Sequence, residues 1–313
     1  MKLLIIDSNA LLHRSFHALP PLKNKKGQET GAVYGFLLTL FKAIGDIDPD
    51  YIVATFDTPA PTFRHKKFKE YKAGRQKAPD EFYKQIPLAK KILSAFLIPV
   101  LEKEGFEADD IIATISKKAL QKTDLSDIEV YIITGDLDTL QLVDEKTKVY
   151  TLGIGIKNTV IYDNKKIMER FELTAGQMVD FRALAGDPSD NIPGAPGIGK
   201  KTATELLKEF RSLEELYQKL ESDEAEEIKP RVKNILFQNK EQVFFSQMLA
   251  QTRKDAPVDF NIQDCKFGDF NRKELEKIFK DCEFFSLINR IPGGNHSNQN
   301  KIPISKNGDG KIF

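Results

Sequence analysis

Cysteine is scarce in this chain: two residues among 313, Cys265 and Cys282, in separate segments. That spacing rules out a disulfide framework and a thiolate metal centre, and it suits a reducing cytosol. Long apolar runs are also missing, so no stretch approaches the length that crosses a bilayer. The opening residues Met1-Lys2-Leu3-Leu4-Ile5-Ile6-Asp7 turn acidic too soon for a secretory leader. Neither charge is in excess, with 47 Lys+Arg against 46 Asp+Glu, so any electrostatic specialisation has to lie in local blocks. Histidine is rare too, and His13 and His17 read as packing residues or phosphate contacts. No His, Ser or Cys arrangement offers itself as a nucleophile, and no internal repeat is visible. What remains is 41% hydrophobic, enough for two domain cores.

Apolar runs at residues 2–6, 51–56 and 129–134 read as buried strands, with a shorter one at 97–101. Helical patterns lie between them at residues 31–44, 80–96 and 108–120. Alternating strands and helices predict a mostly parallel central sheet flanked by helices, and such sheets bind ligands beyond the carboxyl ends of their strands. Asp7, Asp57, Asp136 and Asp138 all fall just past strand ends, on that edge. Glu107-Ala108-Asp109-Asp110 opens a helix that starts there as well. Each acid alone has an ordinary reading as a turn or capping residue. Seven together repel one another, which points to a bound cation.

From Lys165 to Ile288 the chain reads as helices with short polar connections, after a hairpin-like segment at 153–162. The expected division is 1–168 for the α/β domain, 169–290 for a helical domain, and 291–313, rich in Gly, Asn, Ser and Lys, for a flexible tail or linker. Within the helical half, residues 186–194 form a loop with two further carboxylates, Asp187 and Asp190, also readable as an ordinary Asp-Pro turn. Pro196-Gly197-Ile198-Gly199-Lys200-Lys201-Thr202 then opens a helix. It resembles a helix–hairpin–helix turn, in which free N–H groups and the helix dipole meet a phosphate. In the first half, residues 64–77 carry seven Lys/Arg against one Glu. A basic run beside an acidic cluster suits a polyanion, with Phe68 and Tyr71 either stacking on bases or anchoring the segment.

Taken in order, these motifs resemble the 5′-nuclease (flap endonuclease) superfamily, in the branch that forms the N-terminal 5′→3′ exonuclease domain of bacterial DNA polymerase I. The resemblance covers roughly residues 2–290. It rests on Asp7-Ser8-Asn9 with Arg14, on Phe63-Arg64 leading to Tyr71-Lys72 and Arg75, and on Glu107-Ala108-Asp109-Asp110. Thr134-Gly135-Asp136-Leu137-Asp138 and the run from Gly186 to Gly199 complete it. Asp7-Ser8-Asn9 stands where Asp-Gly is common in the family. The resemblance implies a PIN-like or resolvase-like α/β fold followed by a helical domain with the helix–hairpin–helix. It implies metal ligation by Asp7, Asp57, Glu107, Asp109, Asp110, Asp136, Asp138, Asp187 and Asp190, with Asp110, Asp136 and Asp138 nearest the ions. Glu107, Asp187 and Asp190 then act through water, and helix capping is left to Asp109. Lys72 and Arg75, with Tyr71 beside them, become the catalytic clamp on the phosphate, within a basic helical arch near residues 64–90. Arg14, Arg64, Gly197, Ile198, Gly199, Lys200, Lys201 and Thr202 join Lys72 and Arg75 as DNA contacts.

The implied activity is 5′→3′ exonuclease and 5′-flap endonuclease cleavage in replication and repair, with two Mg²⁺ ions, Mn²⁺ as a substitute, and K⁺ at the hairpin. The implied partners are DNA with 5′ ends or flaps, RNA/DNA primer hybrids, and a polymerase domain in cis or in trans, in a bacterial cytoplasm at the nucleoid. A PIN-like RNase and a non-catalytic DNA-binding module are the competing readings.

Overall fold

The computed structural model describes residues 1–121, 127–152, 159–222 and 224–292. The expected tail, from residue 293, and most of the expected hairpin at 153–162 lie outside them. Six strands, β1 (Lys2–Asp7), β2 (Tyr51–Thr55), β3 (Val100–Leu101), β4 (Glu129–Thr134), β5 (Thr147–Leu152) and β6 (Thr159–Tyr162), form one sheet in the order β3-β2-β1-β4-β5-β6. All neighbours are parallel except the β5–β6 pair. The chain builds outward from β1 through β2 to β3, then crosses back to β4 on the other side of β1. The switch in strand order therefore falls between β1 and β4, where such sheets place their ligand crevice.

Fourteen helices accompany the sheet among the described residues. The first half carries α1 (Ser8–Ala18), α2 (Gly31–Ile47), α3 (Phe63–Lys67), α4 (Asp80–Tyr83), α5 (Ile86–Ala95) and α6 (Ala108–Leu120). The second carries α7 (Asn164–Phe171), α8 (Met178–Ala185), α9 (Lys200–Phe210), α10 (Leu213–Glu221), α11 (Pro230–Gln238), α12 (Lys240–Ala250), α13 (Arg272–Asp281) and α14 (Phe285–Ile288). The two-residue alternation of β1 sorts its side chains: Leu4 and Ile6 join α1, α2 and α5, while Leu3 and Ile5 face α6. A third core, built on Leu207, Leu216 and Leu236, lies within α8–α12.

Three expectations need correction. The helix expected over 80–96 is two helices. Pro87 lacks an N–H and so belongs to a first turn, and buried Gln85 fills the break, accepting the Ala32 N–H at 2.8 Å. The basic run is not a helical arch either: after α3, residues 69–74 are turns, and Lys72 takes a φ of 57°. Finally, residues 251–291 do not stay with the helical half. Phe267 donates its N–H to Asp50, Ile262 and Cys265 join the core under α6, and α13 and α14 pack on the opposite face of the sheet. The division at 168/169 misses this return because periodicity marks a helix, not the surface it covers.

Phe279 of α13 is the clearest marker of the return: it is fully buried, stacked on Phe41 at 6.2 Å and set edge-on to Phe96. Phe279→Ala is expected to cost about 3–5 kcal/mol, read as a lowered urea midpoint of the whole chain. A change confined to the helical half would contradict the packing.

Candidate metal and nucleic-acid site

The strand-end acids are oriented by the backbone before any ligand is considered. Asp7 caps α1, accepting the Ala10 N–H at 3.2 Å, and its other oxygen accepts the Thr134 hydroxyl at 2.6 Å. The Thr134 oxygen in turn accepts the Asp136 N–H at 2.9 Å, and Asp136 accepts the Asp138 N–H at 2.9 Å. Thr134 thus bridges the ends of β1 and β4, across the switch point. Asp57 sits at the exposed rim and accepts the first N–H of α6, from Ala108, at 2.8 Å.

These carboxyls feel one another. Burial, with a smaller contribution from the Asp57 and Asp136 charges, pushes Asp7 up to about 7, against the pull of the Thr134 hydrogen bond. Burial and the neighbouring acids push Asp138 up to about 8 despite Arg182. Asp109 is held well above the usual range by burial and then by Asp7, Asp136 and Asp138. Asp7, Asp109, Asp136 and Asp138 therefore form one electrostatic group at the switch point. Among the described residues, no three His, Cys, Asp or Glu side chains stand arranged as a ready ligand set. The row is oriented but not closed.

Apart from Asp57 at the rim, the remaining acids have basic partners. Arg64 is 2% exposed, and its five N–H donors make five bonds. It forks onto Asp110 at 2.8 and 2.9 Å, reaches Glu107 at 3.4 Å, and caps the end of α12 through the Leu249 and Gln251 carbonyls at 2.9 and 2.8 Å. Asp110 is fully buried, and it also accepts the Glu107 N–H at 3.1 Å and the Arg253 N–H at 2.8 Å. Three expectations are thereby reversed. Asp110, expected among the acids nearest the ions, has both oxygens taken by Arg64 and by backbone N–H groups. Arg64 is not a DNA contact, because it is sealed in the interior. Asp110, rather than Asp109, is the capping residue of α6, and Asp109 faces the acidic row.

The basic segment folds down onto the remaining acids. Lys72 pairs with Glu107 at 2.9 Å and with Asp190 at 3.6 Å, and Arg75 pairs closely with Asp190. The Tyr71 hydroxyl lies 3.1 Å from Glu107 and 3.2 Å from Asp190, with the ring 3% exposed. Burial opposes ionisation of Asp190, yet Lys72 and Arg75 hold its carboxyl below the ordinary range. Tyr71 and Phe68, which meets Phe245 edge-on at 5.6 Å, anchor the segment and are not free to stack on bases.

In the helical half, Gly186 and Gly194 lie back to back, with φ of 72° and 64°; a Cβ on Gly194 would come 2.3 Å from the Gly186 nitrogen. This contact pinches the 186–194 loop, which carries Asp187 and Asp190. Gly197 (φ 93°) and Gly199 then lead into α9, where Lys200 and Lys201 are exposed and Thr202 is half-buried. Ile198 is buried at 3% and its N–H is taken by Ala195, so its expected DNA contact gives way to a role as the hairpin's apolar anchor. Arg14 lies half-buried on α1 beside Gly135.

Sequence reasoning missed Arg182 and Thr134. Arg182, on α8, is buried and pairs with Asp138 at 2.5 Å and Asp187 at 3.7 Å. Its signal was a single charge inside the apolar run Phe181-Arg182-Ala183-Leu184, a position that demands a partner. Thr134 ends a β-branched strand and carries no such mark.

A parallel sheet with carboxylates at its switch point, joined to a helical unit that presents a glycine hairpin, is the layout of a resolvase-like domain followed by a SAM-type helical domain. The model of the 5′-3′ exonuclease N-terminal resolvase-like domain matches residues 2–172, and that of the 5′-3′ exonuclease C-terminal SAM fold matches residues 173–273. The chain belongs to the 5′-3′ exonuclease family. It is 40% identical to DNA polymerase I of Bacillus subtilis over 290 residues, covering 93% of this chain and 32% of that protein. Against DNA polymerase I of Bacillus caldotenax it is 38% identical over 305 residues, covering 97% of this chain and 34% of the relative. The chain thus spans about a third of the length of these relatives. The fold is shared with the zinc-bound T5 5′-exonuclease (TM-score 0.65, 21% identity, 91% of this chain and 99% of that one). It is shared too with the catalytic core of Rad2 in complex with DNA (TM-score 0.56, 19% identity, 90% and 87%).

Removing the Arg64 side chain leaves Asp110 charged and buried, so Arg64→Ala is expected to lose about 3–5 kcal/mol, measured by urea unfolding. A loss below about 1 kcal/mol would show that the pair is not a structural tie. Asp7 and Asp138 also set a pH dependence. Their folded values, about 7 and about 8, lie above the ordinary unfolded carboxyl value. The folded state therefore holds protons that the unfolded chain releases. Their contribution is fully present below about pH 4 and is lost as pH rises towards 8. In chelator, the unfolding midpoint is expected to fall between pH 5 and pH 8; a rising midpoint would count against the crowding of the row.

Proposed function

We propose that this chain hydrolyses phosphodiester bonds at DNA 5′ ends and 5′ flaps in a reaction dependent on divalent metal. The observation that carries this reading is the acidic row at the switch point, Asp7, Asp109, Asp136 and Asp138, which has Arg182 as its one salt-bridge partner among the described residues, while Glu107, Asp110 and Asp190 beside it are matched by Arg64, Lys72 and Arg75. Ser8 Oγ, Thr58 Oγ1 and Arg182 Nη1 are buried without a hydrogen-bond partner among the described residues. Each belongs to a residue next to, or bonded to, one of the expected metal acids. Hard oxygen donors with unsatisfied polar neighbours fit a hydrated hard cation such as Mg²⁺, with Mn²⁺ as substitute. Asp7, Asp109, Asp136 and Asp138 would hold it, with Asp57 at the rim. When bound, the ion supplies a nucleophilic water and charge stabilisation at the phosphate.

The chain's own residues hold and orient the substrate. Lys72 and Arg75 stand at the edge of the row, and both remain charged there by pairing with Glu107 and Asp190. They are placed to hold the phosphate that enters, Arg75 being the more exposed. The start of α9 offers unpaired N–H groups and the Lys200 and Lys201 charges to a duplex backbone, whatever its sequence. K⁺ between hairpin carbonyls and a phosphate would strengthen that grip. RNA primers hybridised to DNA are a second substrate on this reading, and a polymerase domain, in cis or in trans, is the partner that would fill the nicks.

Labelled 5′-flap DNA, nicked duplex and single-stranded RNA are to be incubated with Mg²⁺ and the products sized. Release of 5′ DNA fragments is expected; cleavage of RNA alone would favour a PIN-like RNase. Asp136→Asn is expected to lower flap cleavage by at least about a hundredfold with flap binding retained. Mg²⁺-dependent cleavage at the wild-type rate would sink the assignment.

A further inference from the structure

Arg182 is 8% exposed and joins the two halves of the site. Its Nη2 meets Asp138 Oδ1, from the sheet half, at 2.5 Å, and its Nε lies 3.7 Å from Asp187 Oδ2, in the loop after α8. Asp187 is held from its other side, where Oδ1 accepts the Ser189 N–H at 2.9 Å and the Ser189 hydroxyl at 2.7 Å. Among the described residues no group donates to Asp138 Oδ2. The third Arg182 nitrogen, Nη1, is buried with no acceptor from the protein.

We propose that Arg182 is the positioning residue of the acidic row: it fixes Asp138 through one oxygen, leaves the other for the divalent ion, and is itself anchored by Asp187. The inference rests on the metal-dependent reading above. Two effects of an arginine beside metal ligands oppose each other, since it can compete with the ion or hold the ligand ready. The oxygen count decides between them. Arg182 occupies Oδ1 alone, so the ion reaches Oδ2 without displacing it. Nη1 then stands as a donor for an acceptor brought by the ion or the substrate, either a metal-bound water or a phosphate oxygen. Helix α8 opens the segment that leads to the hairpin, so DNA gripped there and the ion held at the sheet edge share one rigid connection.

The test uses the full chain and a readout other than cleavage. Mg²⁺ is titrated against the thermal midpoint without DNA for the wild type, Arg182→Gln and Arg182→Lys. The wild-type midpoint is expected to rise to a plateau. Arg182→Gln should need about tenfold more Mg²⁺ to reach half of that rise, the usual effect of removing a residue that orients a metal ligand. Flap cleavage by this variant should recover as Mg²⁺ is raised, which a purely structural defect would not allow. Arg182→Lys keeps the charge without the planar fork and should fall between the two; it carries the test if Arg182→Gln does not fold. An unchanged Mg²⁺ requirement, with the midpoint lowered at every concentration, would reduce Arg182 to a structural brace. A lower Mg²⁺ requirement would make it a competitor of the ion. Either result overturns the proposal. A wild type that does not respond to Mg²⁺ overturns the functional reading itself, and is seen before any variant is compared.

Discussion

The Arg64 guanidinium is the interaction on which the site's geometry depends. A charge buried this deeply is tolerated only if every donor is satisfied, and here five bonds satisfy five donors. Its partners come from the start of α6 and the end of α12, so one side chain fixes a helix of the α/β half against a helix of the helical half. The helix termini contribute in the favourable sense, since the carbonyl end of α12 meets a cation. The tie works with Lys72 and Tyr71 in placing Glu107, and with the Arg253, Thr252 and Ala256 N–H bonds in placing the 251–256 segment, and it fixes Asp110, the neighbour of Asp109 in the chain.

The acids divide into two populations that the sequence lists together. Glu107, Asp110 and Asp190 are matched by Arg64, Lys72, Arg75 and Tyr71, and they act as internal fittings. Asp7, Asp109 and Asp138, crowded together with Asp136, are pushed towards the protonated form. Matched acids cost little to keep charged, and unmatched ones store repulsion that a divalent cation would relieve. Arg182 stands between the populations, pairing with one member of the row while leaving part of it open.

Much of this was legible in the sequence, for identifiable reasons. The strands at 2–6, 51–56 and 129–134 and the helix at 108–120 were marked by unbroken apolar runs or by an acidic start, and the sheet edge that gathers Asp7, Asp57, Asp136 and Asp138 follows from parallel topology alone. The direction of a side chain was not legible. Glu107, Asp109 and Asp110 differ by a single helical turn, and which of them meets Arg64 depends on where residues 64 and 249–251 come to lie. The same holds for Tyr71 and Ile198, whose neighbours Phe68 and Gly197 give no sign of burial. The return of α13 and α14 to the sheet was hidden because an amphipathic pattern is the same against any apolar surface.

The span of these contacts has a kinetic consequence. Arg64 bonds to a carbonyl 185 residues further along the chain, and Arg253 donates to Asp110 across 143. Contacts that distant close late, because a long loop must be ordered before any of them forms. A ribosome releases the strands and most of the row well before α12 emerges. The growing chain therefore carries the acidic row in pieces, and the row becomes rigid only once the helical half is also in place.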